Sequence, residues 1–112
     1  MPEQTNYHFT PRQLTEYKKK LHSAIHRLLV DVETNNIHDL PTSYKTLLLK
    51  IDSLNQILGD QDAIIYLFTT LLAAYEASRD VETEFAVYRK LILDAHTALD
   101  NINFHIGELC ND

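Results

Sequence analysis

The 112-residue sequence contains one cysteine, two glycines, three prolines and no tryptophan. A single cysteine, Cys110, excludes an internal disulfide and a four-cysteine zinc site. Gly59 and Gly107 lie too far apart to form a glycine-rich nucleotide-binding loop. So few turn residues do not support the many tight hairpins of an all-β fold. The composition therefore argues against disulfide-rich, nucleotide-binding and all-β classes.

Long hydrophobic runs are also missing. The N-terminus lacks the basic and apolar regions of a signal peptide. The longest uncharged stretch, residues 63–75, is shorter than the roughly 20 apolar residues that a membrane span needs. One thiol also suits a reducing compartment. We therefore expect a cytoplasmic protein without membrane contact.

Apolar residues recur at intervals of three and four along most of the chain, which is typical of helices. Thr10-Pro11 is a helix start signal, and Gly59 followed by Asp60 is a helix stop followed by a new cap. Leu40 precedes a proline and is biased away from helix. The pattern predicts one all-α domain over residues 1–112, with residues 1–9 loosely ordered. Its four helices, near 11–35, 42–58, 61–77 and 81–109, are expected to form an antiparallel up-down bundle with long first and last helices.

One alternative concerns the boundary between the third and fourth helices. The apolar register continues from Ile64 through Ser78, Val81 and Phe85 to Leu109, and no Gly or Pro separates the two predicted helices. A single helix over this span would be about 70 Å long, much longer than a domain of this mass. A turn at residues 78–80 is therefore the preferred prediction, and an elongated dimeric coiled coil is the alternative.

The segment around this boundary resembles one tetratricopeptide unit over a small part of the chain. Arg79 and Glu84 depart from that pattern, which prefers Gly and a small residue there. The resemblance is therefore interpreted as generic helix-turn-helix packing. The matching positions are Leu71, Ala74, Tyr75, Asp80, Phe85 and Tyr88.

Candidate reactive residues do not form a recognisable active site. His22 and His26 share a helix face, but Lys18, Lys19 and Lys20 flank them, so they are interpreted as surface histidines facing water. Cys110 lies three residues from the end of the sequence, with no partner to lower its pKa. The predicted interior seams are almost wholly apolar. We therefore predict a protein that is not an enzyme and has no cofactor and no metal.

Charge is distributed unevenly over a total of −6: residues 1–30 carry +3 and residues 31–112 carry −9. In an up-down bundle the first and third loops lie at one end, which would become acidic, with Arg79 as its only strong opposing charge. Such an end would steer and dock a basic protein. We call this set of residues the acidic end and predict that it binds a partner: Asp31, Glu33, Asp39, Glu76, Asp80, Glu82 and Glu84.

The same charge balance argues against nucleic-acid binding, because three adjacent lysines spread around a helix and the rest of the chain would repel phosphate. Apolar residues that fall off the predicted seams indicate contact with a partner or with a second copy of the chain. These residues are Leu29, Val30, Leu49, Ile57, Ile65, Tyr66, Leu72, Leu91 and Leu93.

These features predict a small acidic helical protein that binds another protein. By analogy with its class, the first expectation is an inhibitor, immunity protein or antitoxin that neutralises a basic partner. The alternatives are a chaperone or adaptor that binds an amphipathic helix of a client in an apolar groove, and a structural homodimer.

Overall fold

A computed structural model describes residues 11–104 of the chain. This part folds into four α-helices and contains no strand, which confirms the all-α, four-helix prediction. Residues 1–9, expected to be loosely ordered, lie outside the described range. The helices are α1 (Pro11–Glu33), α2 (Leu40–Leu58), α3 (Asp62–Arg79) and α4 (Phe85–Asp100).

The four helices pack around one core to which each contributes an apolar stripe. α1 packs against α2 and α4, and α3 packs against the same two helices, with the most extensive contact between α3 and α4. The side chains at the centre of this core are almost completely buried, and they include Leu21, Ile25, Leu28, Ile51, Leu54, Ile64, Leu67, Leu71, Ile92 and Leu99.

Two of the interhelical boundaries follow local backbone chemistry. α2 ends before Gly59, whose φ of 85° is a conformation that favours glycine. Asp60 does not cap α3 as predicted: Gln61 precedes the helix, and Asp60 accepts a hydrogen bond from Asn55 Nδ2 at 3.1 Å.

Leu40 is the first residue of α2, because the proline after it occupies the first turn, where no amide hydrogen is needed. The predicted bias of Leu40 away from helix is therefore wrong.

The chain turns between α3 and α4, so the single continuous helix is excluded. Asp80 Oδ1 accepts a hydrogen bond from the Glu82 amide at 3.0 Å, and the Asp80 carbonyl accepts one from the Thr83 amide at 3.0 Å. Aspartate forms such turns by competing with the helix for backbone donors. Asp80 and Glu82 therefore lie in the loop before α4, whereas the fourth helix was predicted to begin near residue 81.

The prediction of a long last helix is wrong within the described range. α4 has 16 residues and ends at Asp100, whereas residues 81–109 were predicted to be helical. After it, Gln61 holds the chain with two hydrogen bonds to the backbone of Asn103, at 2.8 and 3.0 Å. Val81 and Phe85, predicted on the apolar seam, are both exposed.

Candidate functional site

The outer face of α2 and α3 carries an open apolar groove with a volume of about 670 Å³. Leu49 on α2 and Leu72 on α3 are 60% and 41% exposed beside it. Both helices turn their most hydrophobic stripe inward, so these leucines are additional apolar residues that the core does not cover. The groove is lined by Pro41, Thr42, Tyr44, Lys45, Leu48, Leu49, Asp52, Phe68, Leu72, Tyr75 and Glu76.

A smaller hollow of about 200 Å³ continues the groove toward the start of α3. The two share Asp52 and Phe68 in their walls, and the smaller one adds the half-exposed Ile65. Asn55 also lines it, and its Oδ1 is buried without a hydrogen-bond partner among the described residues. Together the two hollows form one groove, which we call the α2–α3 groove.

Aromatic side chains form the other end of the α2–α3 groove. The rings of Tyr44 and Tyr75 lie 5.1 Å apart, and the guanidinium of Arg79 lies 5.5 Å from the centre of the Tyr75 ring. A cation at this distance from an aromatic face is attracted to it. Arg79 is therefore held at the end of the groove, next to Glu76.

The residues of the predicted acidic end belong to the end of α1, the start of α2, the end of α3 and the α3–α4 turn. Glu76 lines the groove, and Asp39 lies just before the start of α2. Asp80 and Glu82 lie in the α3–α4 turn, and Glu84 directly precedes α4. All five carboxylates are exposed, as is Glu33 at the end of α1. That these residues dock a partner stays a prediction.

Asp31 differs from the other acidic residues because it is buried. Its Oδ1 lies 3.4 Å from Arg27 Nε one turn earlier on α1. Burial is the largest cause of the raised pKa of Tyr88, and the Asp31 charge raises it further, whereas the hydrogen bond with Tyr44 lowers it. Asp31 is therefore a poor docking residue, and Arg27 is a second strong opposing charge near this end, where the sequence predicted only Arg79.

The core contains one polar network. The Tyr88 hydroxyl donates to the Leu28 carbonyl at 3.0 Å and lies 2.9 Å from the Tyr44 hydroxyl. Because the Tyr88 hydrogen goes to Leu28, Tyr44 is the donor between the two rings. Burial raises the pKa of both tyrosines, that of Tyr88 to about 12. Both hydroxyls are buried and have hydrogen-bond partners, so we interpret them as structural groups.

Sequence analysis missed a contact between histidines. His22 is only partly exposed, and it meets His96 of α4, so its predicted orientation toward water is wrong. His26 is exposed as predicted, although its ring centre lies 6.5 Å from that of His96. No group of three or more metal-ligating side chains is arranged to hold a metal ion within residues 11–104. Cys110 lies outside the described range.

Comparison with protein-family models, curated proteins and solved structures finds no significant match for this chain. None of the described helices is long and apolar enough to cross a membrane. The fold and the groove alone therefore define the class, an all-helical bundle with an open apolar groove between two of its helices.

Proposed function

We propose that this chain is a non-catalytic binding protein whose α2–α3 groove receives an amphipathic helix of another protein. The observation that carries the proposal is the exposure of Leu49 and Leu72 on either side of an apolar groove. Binding an amphipathic helix in such a groove is a recurrent mode of protein recognition. The groove favours this alternative over the inhibitor or immunity protein that was the first expectation from sequence.

The dimensions of the groove limit the length of the bound helix. Its α2 wall extends from Pro41 to Asn55, which corresponds to about 21 Å of helix. A partner helix of roughly four turns matches this length. Apolar residues spaced three and four apart on that helix would contact Leu49, Leu72 and Ile65.

The charges around the groove favour a helix with basic flanks. Asp52 and Glu76 contribute carboxylates to the groove wall, opposed by Lys45. The exposed acidic residues around the α3–α4 turn extend the negative charge beyond Glu76. Apolar contact would supply affinity, since fully burying a leucine stabilises a complex by about 1.5–3 kcal/mol. The acidic end would mainly accelerate association.

The proposal includes an up-down order of the four helices. Contacts between consecutive helices support it, because Tyr44 of α2 meets Tyr75 near the end of α3, and Gln61 before α3 meets Asn103 after α4. This order makes α2 and α3 antiparallel neighbours with a continuous outer seam. A cytoplasmic location and the absence of a cofactor stay predictions from the sequence.

A selection from a displayed library of 14-residue peptides tests the proposal without knowledge of the natural partner. We expect enrichment of peptides with apolar residues at helical spacing and with lysine or arginine beside them. Fluorescence anisotropy would then measure the affinity of one selected peptide. The doubly substituted variant Leu49→Asp, Leu72→Asp should bind it at least tenfold more weakly.

Leu93→Asp is the matched control, because Leu93 on α4 is 42% exposed, close to the 41% of Leu72, but does not line the groove. Its affinity should equal that of the unchanged chain. Enrichment of peptides without helical spacing, or equal weakening by Leu93→Asp, would contradict the proposal. A concentration-dependent dimer that the groove substitutions dissociate would show instead that a second copy covers this face.

A further inference from the structure

The contact between α1 and α4 contains two histidine rings that face each other edge to edge. The Nδ1 atoms of His22 and His96 lie 3.1 Å apart, and the rings are nearly parallel, with an angle of 12° between their planes. The second ring nitrogen of His22, Nε2, lies 2.8 Å from Asp100 Oδ1. His22 is thus bonded on both sides to α4.

These partners define where the hydrogens lie. The ionised Asp100 carboxylate only accepts hydrogen bonds, so the hydrogen of neutral His22 is on Nε2. Nδ1 of His22 then has a free electron pair and accepts a hydrogen bond from Nδ1 of His96. Neutral His96 therefore carries its hydrogen on Nδ1.

Additional protons have different consequences for this contact. When one more proton binds, His22 donates hydrogen bonds from both ring nitrogens. Its Nε2 donates to Asp100, and its Nδ1 donates to Nδ1 of His96, whose own hydrogen has moved to Nε2. The contact is then retained, and Asp100 balances the charge. With a second proton, both Nδ1 atoms carry hydrogens, and two donors face each other at 3.1 Å.

The surrounding charges oppose this second proton. His26 on α1 lies close to His96, and Lys18 on α1 lies 3.8 Å from Asp100. Among the described residues, the charges that act on His96 come from His22, His26 and Asp100. Two imidazolium rings and the Lys18 ammonium would therefore share one carboxylate.

We infer that His22 and His96 form a proton-sharing pair that holds α1 against α4 at neutral pH and separates when both rings are protonated. The inference is independent of the groove, which lies on the other two helices. It assigns to the α1–α4 contact a loss of stability as the pH falls below neutral.

The direction of the pH dependence follows from His96. Burial lowers its pKa, and the charges of His22 and His26 lower it further, while Asp100 raises it. In the unfolded chain His96 binds its proton near pH 6.5. The stabilisation is therefore fully present above about pH 6.5 and is lost as the pH falls through the lowered value. One such proton changes the unfolding equilibrium constant by at most about tenfold per pH unit.

Nitrogen-15 NMR of the histidine rings tests the hydrogen positions directly in the unchanged protein. At pH 7.5 we expect His22 to carry its hydrogen on Nε2 and His96 to carry it on Nδ1. On acidification His96 should take up its second ring proton only below pH 6.5. Protonation of His96 at or above pH 6.5, or a hydrogen on Nε2 of neutral His96, would overturn the inference.

Chemical unfolding between pH 7.5 and 5 provides the second measurement. His96→Gln should flatten the loss of stability over this range, whereas His38→Gln should not, because His38 is an exposed loop residue. Equal pH profiles for all three proteins would contradict the inference. Added Zn²⁺ should leave the ring signals unchanged at pH 7.5, and a zinc-dependent shift of both rings would assign the pair to metal binding instead.

Discussion

The α1–α4 and α2–α3 contacts of this bundle differ in the kind of side chain at their outer edge. On the outside of α1 and α4, hydrogen bonds and ion pairs join His22, His96, Asp100 and Lys18. On the outside of α2 and α3, apolar side chains flank an open groove, and Leu49 is 60% exposed. The polar groups between α1 and α4 thus have partners within the chain, whereas α2 and α3 present apolar surface that is open to another molecule.

We therefore expect the α1–α4 contact to affect the stability of the fold and the α2–α3 groove to affect binding. The α1–α4 contact contains partly exposed groups that bind protons, so we expect the stability of the fold to depend on pH through this contact. The groove is lined mainly by apolar side chains, with Lys45, Asp52 and Glu76 in its wall, so the affinity for a bound helix should depend mainly on shape and apolar area. Substitutions can therefore distinguish the core, the polar contacts and the groove by their effects.

The largest effect is expected from the core that both seams share. Leu67 of α3 is completely buried, so Leu67→Ala should lower the free energy of unfolding by about 2–5 kcal/mol through the cavity that it leaves. Leu72→Ala, five residues further along the same helix, should cost about 1 kcal/mol, because its side chain is already 41% exposed. Urea unfolding measures both, and equal losses would contradict the assignment of Leu72 to the groove.

Removal of the Tyr88 hydroxyl should have the next largest effect. Tyr88→Phe leaves the Leu28 carbonyl and the Tyr44 hydroxyl without their partner, so we expect a loss of about 1–3 kcal/mol. Tyr44→Phe removes a donor but leaves the bond from Tyr88 to Leu28, and should cost less. The comparison fails if Tyr44→Phe is the more damaging substitution in the same urea assay.

The tyrosines also predict a loss of stability in alkali. The pKa of Tyr88 is raised to about 12 in the fold, compared with about 10 in the unfolded chain. Above pH 10 the unfolded chain therefore loses its proton first, and the stability of the fold should fall as the pH rises toward 12. Thermal unfolding at pH 8 to 11 measures this slope, which should be smaller in Tyr88→Phe. An unchanged slope in that variant would exclude the role of Tyr88.

Sequence periodicity was sufficient to predict four helices, because one apolar face per helix is a local pattern. The boundaries of α4 were missed for two reasons. At its start, Asp80 accepts hydrogen bonds from the Glu82 and Thr83 amides, so the turn predicted at residues 78–80 extends to residue 84 and α4 begins later than predicted. At its end, Gln61 binds Asn103 over a separation of 42 residues, which no local pattern contains.

The sequence indicated apolar residues outside the core but not how the fold arranges them. Five of the nine off-seam apolar residues are exposed, but only the packing of α2 on α3 shows that Leu49, Ile65 and Leu72 border one groove. The His22–His96 contact joins residues 74 positions apart, so helical spacing within α1 gave no signal of it.

The smallest effect is expected from the acidic residues near the groove. Glu82→Lys combined with Glu84→Lys should slow association of a selected basic peptide severalfold at low salt and leave its dissociation rate nearly unchanged. Asp80 is kept, because its carboxylate holds the turn. Stopped-flow kinetics at two salt concentrations would measure the rates, with Asp62→Lys at the opposite end of α3 as the control. Equal slowing by the control would remove the acidic end from the account.

Mapping a bound peptide onto the chain by NMR tests the groove most directly. Titration of a selected amphipathic peptide into nitrogen-15-labelled protein should shift the amide signals of α2 and α3 between Pro41 and Glu76, and leave those around His22 and His96 unchanged. Shifts concentrated on α1 and α4, or a peptide that binds without perturbing Leu49 and Leu72, would contradict the groove as the binding surface.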